Sequence, residues 1–401
     1  MSFALRRLVI NSLADAEFEL GRIGADPAGI RMMAPKMLTC CVHLKDVECR
    51  QANILKQDML ALGGDTAVAR GTVSCSIEKT DLILIGTIKQ LHRLCNKLLP
   101  QPFRLPELAA KLKTFLISID KKPESWSTSR RVLSLSRPLI MGILNVTPDS
   151  FSDGNRYLKP EEAVDRALEM IDEGADIIDV GGETTKPGAL YISAEEETRR
   201  VVPVIREVAK KVSCAISIDT WKSEVADAAI SAGAEIINDI SGFTFDPAMP
   251  DLAARSGVAA VLMHTRGTPA RMQYDTHYDD LLFEVIQGLS NSVCIAQKAG
   301  VTMDRIAIDP GIGFAKDAAG NMEILRRLQE FSRFELPLLV GTSRKSFIGK
   351  TLGREINDRL FGTAATVAIA VTNGANIIRV HDIAAMRDAA YMAHAISVKG
   401  Q

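Results

Sequence analysis

From residue 138 onward, short and nearly unbroken apolar runs alternate with stretches in which apolar residues recur every three to four positions. The runs are Leu139–Val146, Asp176–Gly181, Ala215–Asp219, Glu235–Ile240, Ala259–His264, Arg305–Asp309, Leu338–Gly341 and Asn376–Val380. Apolar residues on consecutive positions predict parallel strands covered on both faces. The segments between them predict helices. Glu161–Glu173 puts Ala163, Val164, Ala167, Leu168 and Ile171 on one face, with Pro160 at its start. Ser193-Ala-Glu-Glu196 reads as a capping box for a helix carrying Val201, Val204, Ile205 and Val208. Eight such units over about 260 residues predict a (β/α)8 TIM barrel. A doubly wound sheet would alternate in the same way, but its Gly-x-Gly-x-x-Gly opening is absent.

The first 117 residues follow another pattern. Lys36–Leu44 and Asp81–Ile85 predict strands; Val47–Leu62, Ile88–Leu99 and Pro106–Phe115 predict helices. This is a small α/β domain with no signature of known chemistry. Gly63-Gly-Asp65, with Lys56 and Lys89, reads as a helix-ending glycine and solvated lysines. Between the domains, Ser118–Arg131 is polar, basic and rich in turn formers. The expected division is a domain over 1–117, a linker over 118–137 and a barrel over 138–401.

Composition narrows the function. With 401 residues, 47% of them hydrophobic and 24% charged, the chain is an ordinary globular protein of formal charge −1. No bulk field favours nucleic acid or an anionic membrane, so an anionic ligand would need a few placed cations. The seven cysteines form no Cys-x-x-Cys pair, and settings such as Val212-Ser-Cys214-Ala-Ile predict reduced core thiols. No cysteine or histidine spacing suits zinc. The apolar run after Arg7 is broken by Asn11, Asp15 and Glu17, too early for an export signal, and no stretch is long enough to span a membrane. A cytoplasmic enzyme is expected, acting on small molecules.

Polar and glycine-rich residues gather just after each predicted strand, the end at which barrel enzymes keep their chemistry. The first strand runs into Asn145-Val-Thr-Pro-Asp-Ser-Phe-Ser-Asp-Gly154, whose oxygens can hold hydrated Mg2+ and whose length can cover a substrate. The second ends in Gly181-Gly-Glu-Thr-Thr-Lys-Pro-Gly188, able to present backbone N–H groups and a cation to phosphate. Asp219, Asn238 and Asp309 end three further strands. An unpaired charge facing into a barrel costs several kcal/mol, so these groups need a cation or a ligand bearing matched donors. A pterin edge, with N3–H beside a 2-amino group, is such a two-donor fork. The seventh and eighth strands end in cations, Gly341-Thr-Ser-Arg-Lys-Ser346 and Arg379-Val-His381, where these barrels usually bind phosphate. His264 either lines the pocket or supports it from behind. His43, His92, His277 and His394 have no supporting context.

These residues resemble the dihydropteroate synthase family. Gly142–Gly154 and Ile178-Asp-Val-Gly-Gly-Glu-Thr-Thr-Lys-Pro-Gly188 look like its two long signatures. Ile218-Asp-Thr, Ile237-Asn-Asp, Met263-His, Asp309-Pro-Gly-x-Gly-Phe314, Ser343-Arg-Lys-Ser346 and Arg379-Val-His-Asp382 follow in family order. The resemblance covers about 137–398. It implies that Asp219, Asn238, Asp309 and Lys345 hold the pterin, with Met263 and Phe314 against its ring. Asn145, Thr185, Arg379 and His381 would hold the pyrophosphate, with Mg2+ as cofactor on Asn145. Thr185, Pro187, Phe314 and Ser346 would shape the p-aminobenzoate pocket. The implied catalytic set is Asp219, Asp309, Lys345, Arg379 and His381, and the implied assembly is a homodimer.

Two positions depart from the family pattern: Lys186 stands where arginine is usual, and Thr184 where serine is common. Lysine keeps the charge but loses the planar fork. The N-terminal domain is extra to the minimal barrel. A methyltetrahydrofolate–corrinoid methyltransferase would share the acids and amide but not the cation pair or first signature. A non-catalytic pterin-binding protein would show erosion of those same features.

Overall fold

The computed structural model describes residues 3–119, 121–147, 160–184, 191–268, 272 and 274–398. It divides into two compact units, Met1–Lys121 and Lys122–Gln401.

In the first unit, β1 (Thr39–Glu48), β2 (Asp65–Val68) and β3 (Lys79–Thr87) form an antiparallel sheet in the order β1-β3-β2. Two helices, α1 (Leu13–Arg22) and α2 (Pro27–Met33), precede it. Three more, α3 (Cys49–Ala61), α4 (Ile88–Leu98) and α5 (Leu105–Ser118), cover one face. Alternation in β3 decides which face. Thr80, Leu82 and Leu84 are buried, while Asp81, Ile83 and Ile85 on the other side are exposed. Leu82 and Leu84 pack with Leu55, Met59, Leu91, Leu94 and Leu112. The sequence pattern predicted β1, β3 and α3–α5 within a few residues. It missed β2, since Asp-Thr-Ala-Val is too short and polar to stand out, and α1, whose only buried residue is Ala16.

The second unit is the barrel. Its strands are β6 (Leu139–Asn145), β7 (Ile177–Gly181), β8 (Ala215–Asp219), β9 (Ile236–Asp239), β10 (Ala259–Met263), β11 (Ile306–Asp309), β12 (Leu339–Val340) and β13 (Ile377–Val380). All pair in parallel in the order β11-β10-β9-β8-β7-β6-β13-β12. A parallel bridge between Ile308 and Leu338 closes the ring. The connecting helices are α6 (Pro160–Asp172), α7 (Ala194–Lys211), α8 (Ser223–Ala232), α9 (Met249–Ser256), α10 (Leu281–Ala299), α11 (Ala318–Arg326), α12 (Ser346–Leu352), α13 (Leu360–Thr372) and α14 (Ile383–Ser397). Their apolar faces pack against outward strand residues such as Ile178, Val180, Ile216 and Ile378.

The predicted linker is the main correction to the fold. After Lys121 the chain forms an antiparallel hairpin, β4 (Ser125–Ser127) with β5 (Val132–Ser134). Trp126 on this hairpin is fully buried against Met141, Ile177, Ala215, Ile236, Ala307, Leu339 and Ile377. Its Nε1 donates to the Arg305 carbonyl at 3.1 Å, just before β11. Thr128 donates to Glu235 at 2.5 Å, and Arg131 reaches the same carboxylate at 2.8 Å, just before β9. The hairpin therefore plugs the N-terminal mouth of the barrel. A polar, turn-rich composition reads as linker because one tryptophan and two leucines, Leu133 and Leu135, carry the packing signal among serines and arginines.

Candidate functional site

Inward-facing side chains repeat every second residue along a strand. The apolar layer above the plug includes Ile177, Ala215, Ile236, Val261, Ala307, Leu339 and Ile377. Two residues further along the same strands stand Asp179, Ser217, Asn238, Met263, Asp309, Gly341 and Arg379. One period of the strand thus turns a dry core into a polar basin at the C-terminal mouth. Asp219, Asn238, Ile240, Met263, Asp309, Phe314, Gly341, Lys345 and Arg379 line a cleft there, with about 330 Å3 of empty space opening to solvent.

Arg379 organises this basin. Its Nε donates to Asp179 Oδ2 at 2.6 Å and its Nη2 to Asp219 Oδ2 at 2.5 Å. Burial works against the guanidinium charge, but the two aspartates outweigh it and raise its pKa above the ordinary value. Asp179 is wholly buried and also accepts from Asn238 Nδ2 at 3.1 Å. That contact commits the amide nitrogen and leaves the amide oxygen for a ligand. Asp179 was part of the second signature in the sequence, yet nothing marked it as a functional residue. Only the closed barrel brings it under Arg379, 200 residues away.

The other acids are set by burial. Desolvation pushes Asp219 up to about 7 despite Arg379, with Asp179, Glu197 and Asp239 adding to the rise. Desolvation also raises Asp309, against the pull of Lys345. Asp309 is oriented by Gly311, whose N–H donates to its Oδ1 at 2.7 Å. Gly311 has φ +71°, and a Cβ there would lie 2.0 Å from the His264 carbonyl oxygen, so only glycine fits. Lys345 donates to the Ile312 carbonyl and stands 4.7 Å from the Phe314 ring centroid. Burial pulls its pKa down to about 8, with Asp309 opposing.

Beneath this loop lies Lys316, which the sequence did not single out. Its Nζ donates to the carbonyls of Phe314 at 2.9 Å and Gly311 at 3.1 Å, and lies 3.2 Å from His264 Nδ1. Burial brings Lys316 down to about 7 and, with the adjacent Lys316, brings His264 down to about 2. His264 is buried, contacts Lys316 and is absent from the cleft lining, a position behind the pocket. Its contact and those carbonyl bonds staple the turn from Asp309 to Phe314.

A second cluster missed in the sequence sits at the base of the second loop. Lys222 Nζ donates to Glu183 at 2.6 Å, Glu197 at 2.7 Å and the Ile192 carbonyl at 2.9 Å. Glu183 and Ile192 flank the segment 185–190, so Lys222 ties together the two ends of that loop. At the seventh strand, Arg344 adopts φ 55° and pairs with Asp382 at 2.5 and 3.0 Å. These contacts join the seventh and eighth loops beside Lys345.

The remaining expected residues are placed as follows. His381 Nδ1 lies 2.9 Å from Ser343 Oγ, next to the cleft rather than in its lining. Ser346 opens α12 and is exposed. Thr185, Lys186 and Pro187, and most of the first loop after Thr147, lie outside the described residues. Asn145 ends β6 opposite Gly181; a Cβ on that glycine would be 3.7 Å from both Asn145 Oδ1 and Asp219 Oδ2. The Asn145 amide oxygen is the kind of neutral donor that suits a hard cation keeping its waters and binding substrate phosphate. Among the described residues, no group of three or more His, Cys, Asp or Glu could hold a metal without such help.

Comparison with known proteins agrees with this geometry. Residues 141–381, more than half of the chain, match the family described as pterin binding enzyme. A dihydropteroate synthase of Bacillus subtilis is 48% identical over 264 residues, covering 66% of this chain and 90% of that protein. A probable bifunctional folylpolyglutamate synthase/dihydropteroate synthase of Haloferax volcanii is 39% identical over 384 residues, including 93% of this chain. The chain spans only 45% of the length of that relative. The Xanthomonas albilineans dihydropteroate synthase solved with 4-aminobenzoic acid superimposes with a TM-score of 0.65 at 41% identity, over 70% of this chain and all of that one. With the acid-and-cation basin in place at the barrel mouth, the chain belongs to the pterin-binding enzyme family, among the dihydropteroate synthases.

Proposed function

We propose that this protein condenses 6-hydroxymethyl-7,8-dihydropterin pyrophosphate with p-aminobenzoate, giving 7,8-dihydropteroate and pyrophosphate. The observation that carries this reading is one cleft lined by Asp219, Asn238 and Asp309 together with Lys345 and Arg379. The acids suit a flat heterocycle rich in donors; the cations suit its departing diphosphate.

In this scheme Asp309 accepts the pterin N3–H and 2-amino group, and the Asn238 oxygen accepts from the same edge. Lys345 donates to the ring, with Met263 and Phe314 packed against it. Arg379 spends two of its five donors on Asp179 and Asp219, leaving three for diphosphate oxygens. His381 and Thr185 add donors to that anion. Asn145 would hold Mg2+, which would neutralise diphosphate charge when bound. Thr185, Pro187, Phe314 and Ser346 shape the p-aminobenzoate pocket.

The pterin methylene C–O bond breaks, and its electron pair leaves with the diphosphate. Asp219 and Asp309 stabilise the cation that forms on the methylene and spreads into the ring. The aniline nitrogen supplies the new C–N bond and then releases its proton to solvent or diphosphate. No protein nucleophile takes part. The first and second loops exclude water that would otherwise capture the cation.

The deciding assay incubates purified protein with both substrates, with and without Mg2+, and follows dihydropteroate and pyrophosphate together. Equal release of both, dependent on Mg2+, is expected. Methyl transfer to a corrinoid without pyrophosphate release would overturn the reading.

A homodimer is part of this proposal. Leu352, Ile356, Phe361, Ile369, Met392 and Ile396 are exposed apolar side chains on or beside α12, α13 and α14. Exposed apolar side chains on these helices are suited to burial against a second copy. Sedimentation at twice the chain mass checks it.

A further inference from the structure

We propose that Cys49 and Cys75 form a reversible disulfide in the N-terminal unit, made by thiol–disulfide exchange with a small-molecule disulfide. The two Sγ atoms lie 2.7 Å apart, although 26 residues separate them. Unbonded sulfurs overlap at that separation, whereas a bonded pair sits at about 2.0 Å. Forming the bond therefore closes a short gap between the two sulfurs.

The surroundings are already built for it. Cys49 opens α3, and its N–H donates to the Glu78 carbonyl at 2.9 Å. Cys75 sits in the turn before β3 with φ 49°, and its N–H donates to the Thr72 carbonyl at 3.1 Å. Asn53, one turn along α3, pins that turn by donating to the same carbonyl at 2.9 Å and lies 3.5 Å from Cys75 Sγ. The loop is thus held over the helix start before any bond forms. The two thiols are unequal in access: Cys75 is exposed and Cys49 is buried.

This asymmetry sets the order of events. The Cys75 thiolate attacks one sulfur of the small disulfide, forming a mixed disulfide and expelling one small thiolate. The Cys49 thiolate then attacks Cys75 Sγ, forming the protein bond and expelling the second. The protein loses two electrons and two protons, and the small disulfide becomes two thiols. Excess dithiol reverses the sequence.

The test treats the full chain with oxidised glutathione or with dithiothreitol, alkylates remaining thiols, and maps the peptides by mass. The oxidised sample is expected to contain a linked Cys49–Cys75 peptide pair, lighter than the two free peptides by two hydrogen atoms. Dithiothreitol abolishes that pair. Cys49→Ser is expected to retain one glutathione on Cys75, and Cys75→Ser to acquire no linkage at Cys49. The proposal is overturned if wild-type protein keeps the glutathione adduct on Cys75 with Cys49 still alkylatable. It is equally overturned if both cysteines are alkylated in full after oxidation.

Discussion

The two ends of the barrel are built from the same strands and do opposite work. At the N-terminal end, Ile177, Ala215, Ile236, Ala307 and Ile377 meet Trp126 in a layer without a charge. One strand period away, Asp179, Ser217, Asn238, Asp309 and Arg379 occupy the equivalent inward positions. The closed end supplies apolar burial, the main driving force of folding. The open end spends part of that stability on keeping carboxylates and cations out of water. The charges are tolerable because they are arranged in pairs, with Arg379 between Asp179 and Asp219. Preorganised charge in a desolvated site is also what stabilises a developing cation and a leaving anion. Rigidity at one end and chemistry at the other are therefore linked through one set of strands.

The largest test of this contrast removes charge at the open end while keeping volume. Asp309→Asn is expected to lower kcat/KM for dihydropteroate formation by about 100- to 1,000-fold, with the melting temperature nearly unchanged. Arg379→Ala is a different case. It should abolish turnover, but by leaving buried Asp179 unpaired it should also cost about 3–5 kcal/mol in denaturant unfolding. A folded, stable Arg379→Ala protein would show that the pairing with Asp179 does not matter.

At the closed end the expected pattern inverts. Trp126→Ala should cost about 3–5 kcal/mol of stability. Turnover per folded molecule should stay close to that of the unaltered protein. A stable but inactive Trp126→Ala variant would break the division between the two ends.

A smaller effect is expected from pH. In the proposed scheme Asp219 must be ionised to stabilise a cation, and its pKa is pushed up to about 7, so kcat/KM should rise as pH climbs through that value. The same scheme needs Lys345 protonated; it is pulled down to about 8, so the rate should fall again above it. A bell with a narrow top is expected, and its limbs belong to the coupled site rather than to single residues. A flat profile from pH 6 to pH 9 would contradict these roles.

The smallest expected effect is that of removing the first unit alone, and a second truncation shows where the barrel begins. Removing residues 1–121 takes away a unit with its own core and should leave turnover nearly unchanged. Removing 1–130 also takes Trp126 and half the hairpin, and should yield an unstable barrel. Activity assays and thermal melts on the two truncations distinguish a plug from a tether.

Much of this was legible without coordinates, for physical reasons that can be named. Parallel barrel strands are apolar on both faces, so each leaves a dense local run, and all eight were found within a residue or two. Polar residues where apolar strands run into their loops drew attention to Asp219, Asn238, Asp309 and Arg379. The features that stayed hidden depend on partners far along the chain. Asp179 is one aspartate in an apolar strand until Arg379 and Asn238 converge on it. Lys316 and Lys222 look like surface lysines until the fold brings His264 to the one and Glu197 to the other. The cysteines were expected to be apolar core thiols, but Cys41, Cys75 and Cys294 are exposed, and no spacing rule foretold that Cys75 would meet Cys49.

The amino-acid order by itself determined the alternation of strand and helix, the polar mouth and the family, because each is written in local periodicity and contiguous signatures. Only tertiary structure decided that the supposed linker is a plug, that Asp179 aims Arg379, and that two distant thiols touch. Those outcomes depend on which residues chain closure brings within a few ångströms, and a pairing of that kind leaves no mark on its immediate neighbours in the chain.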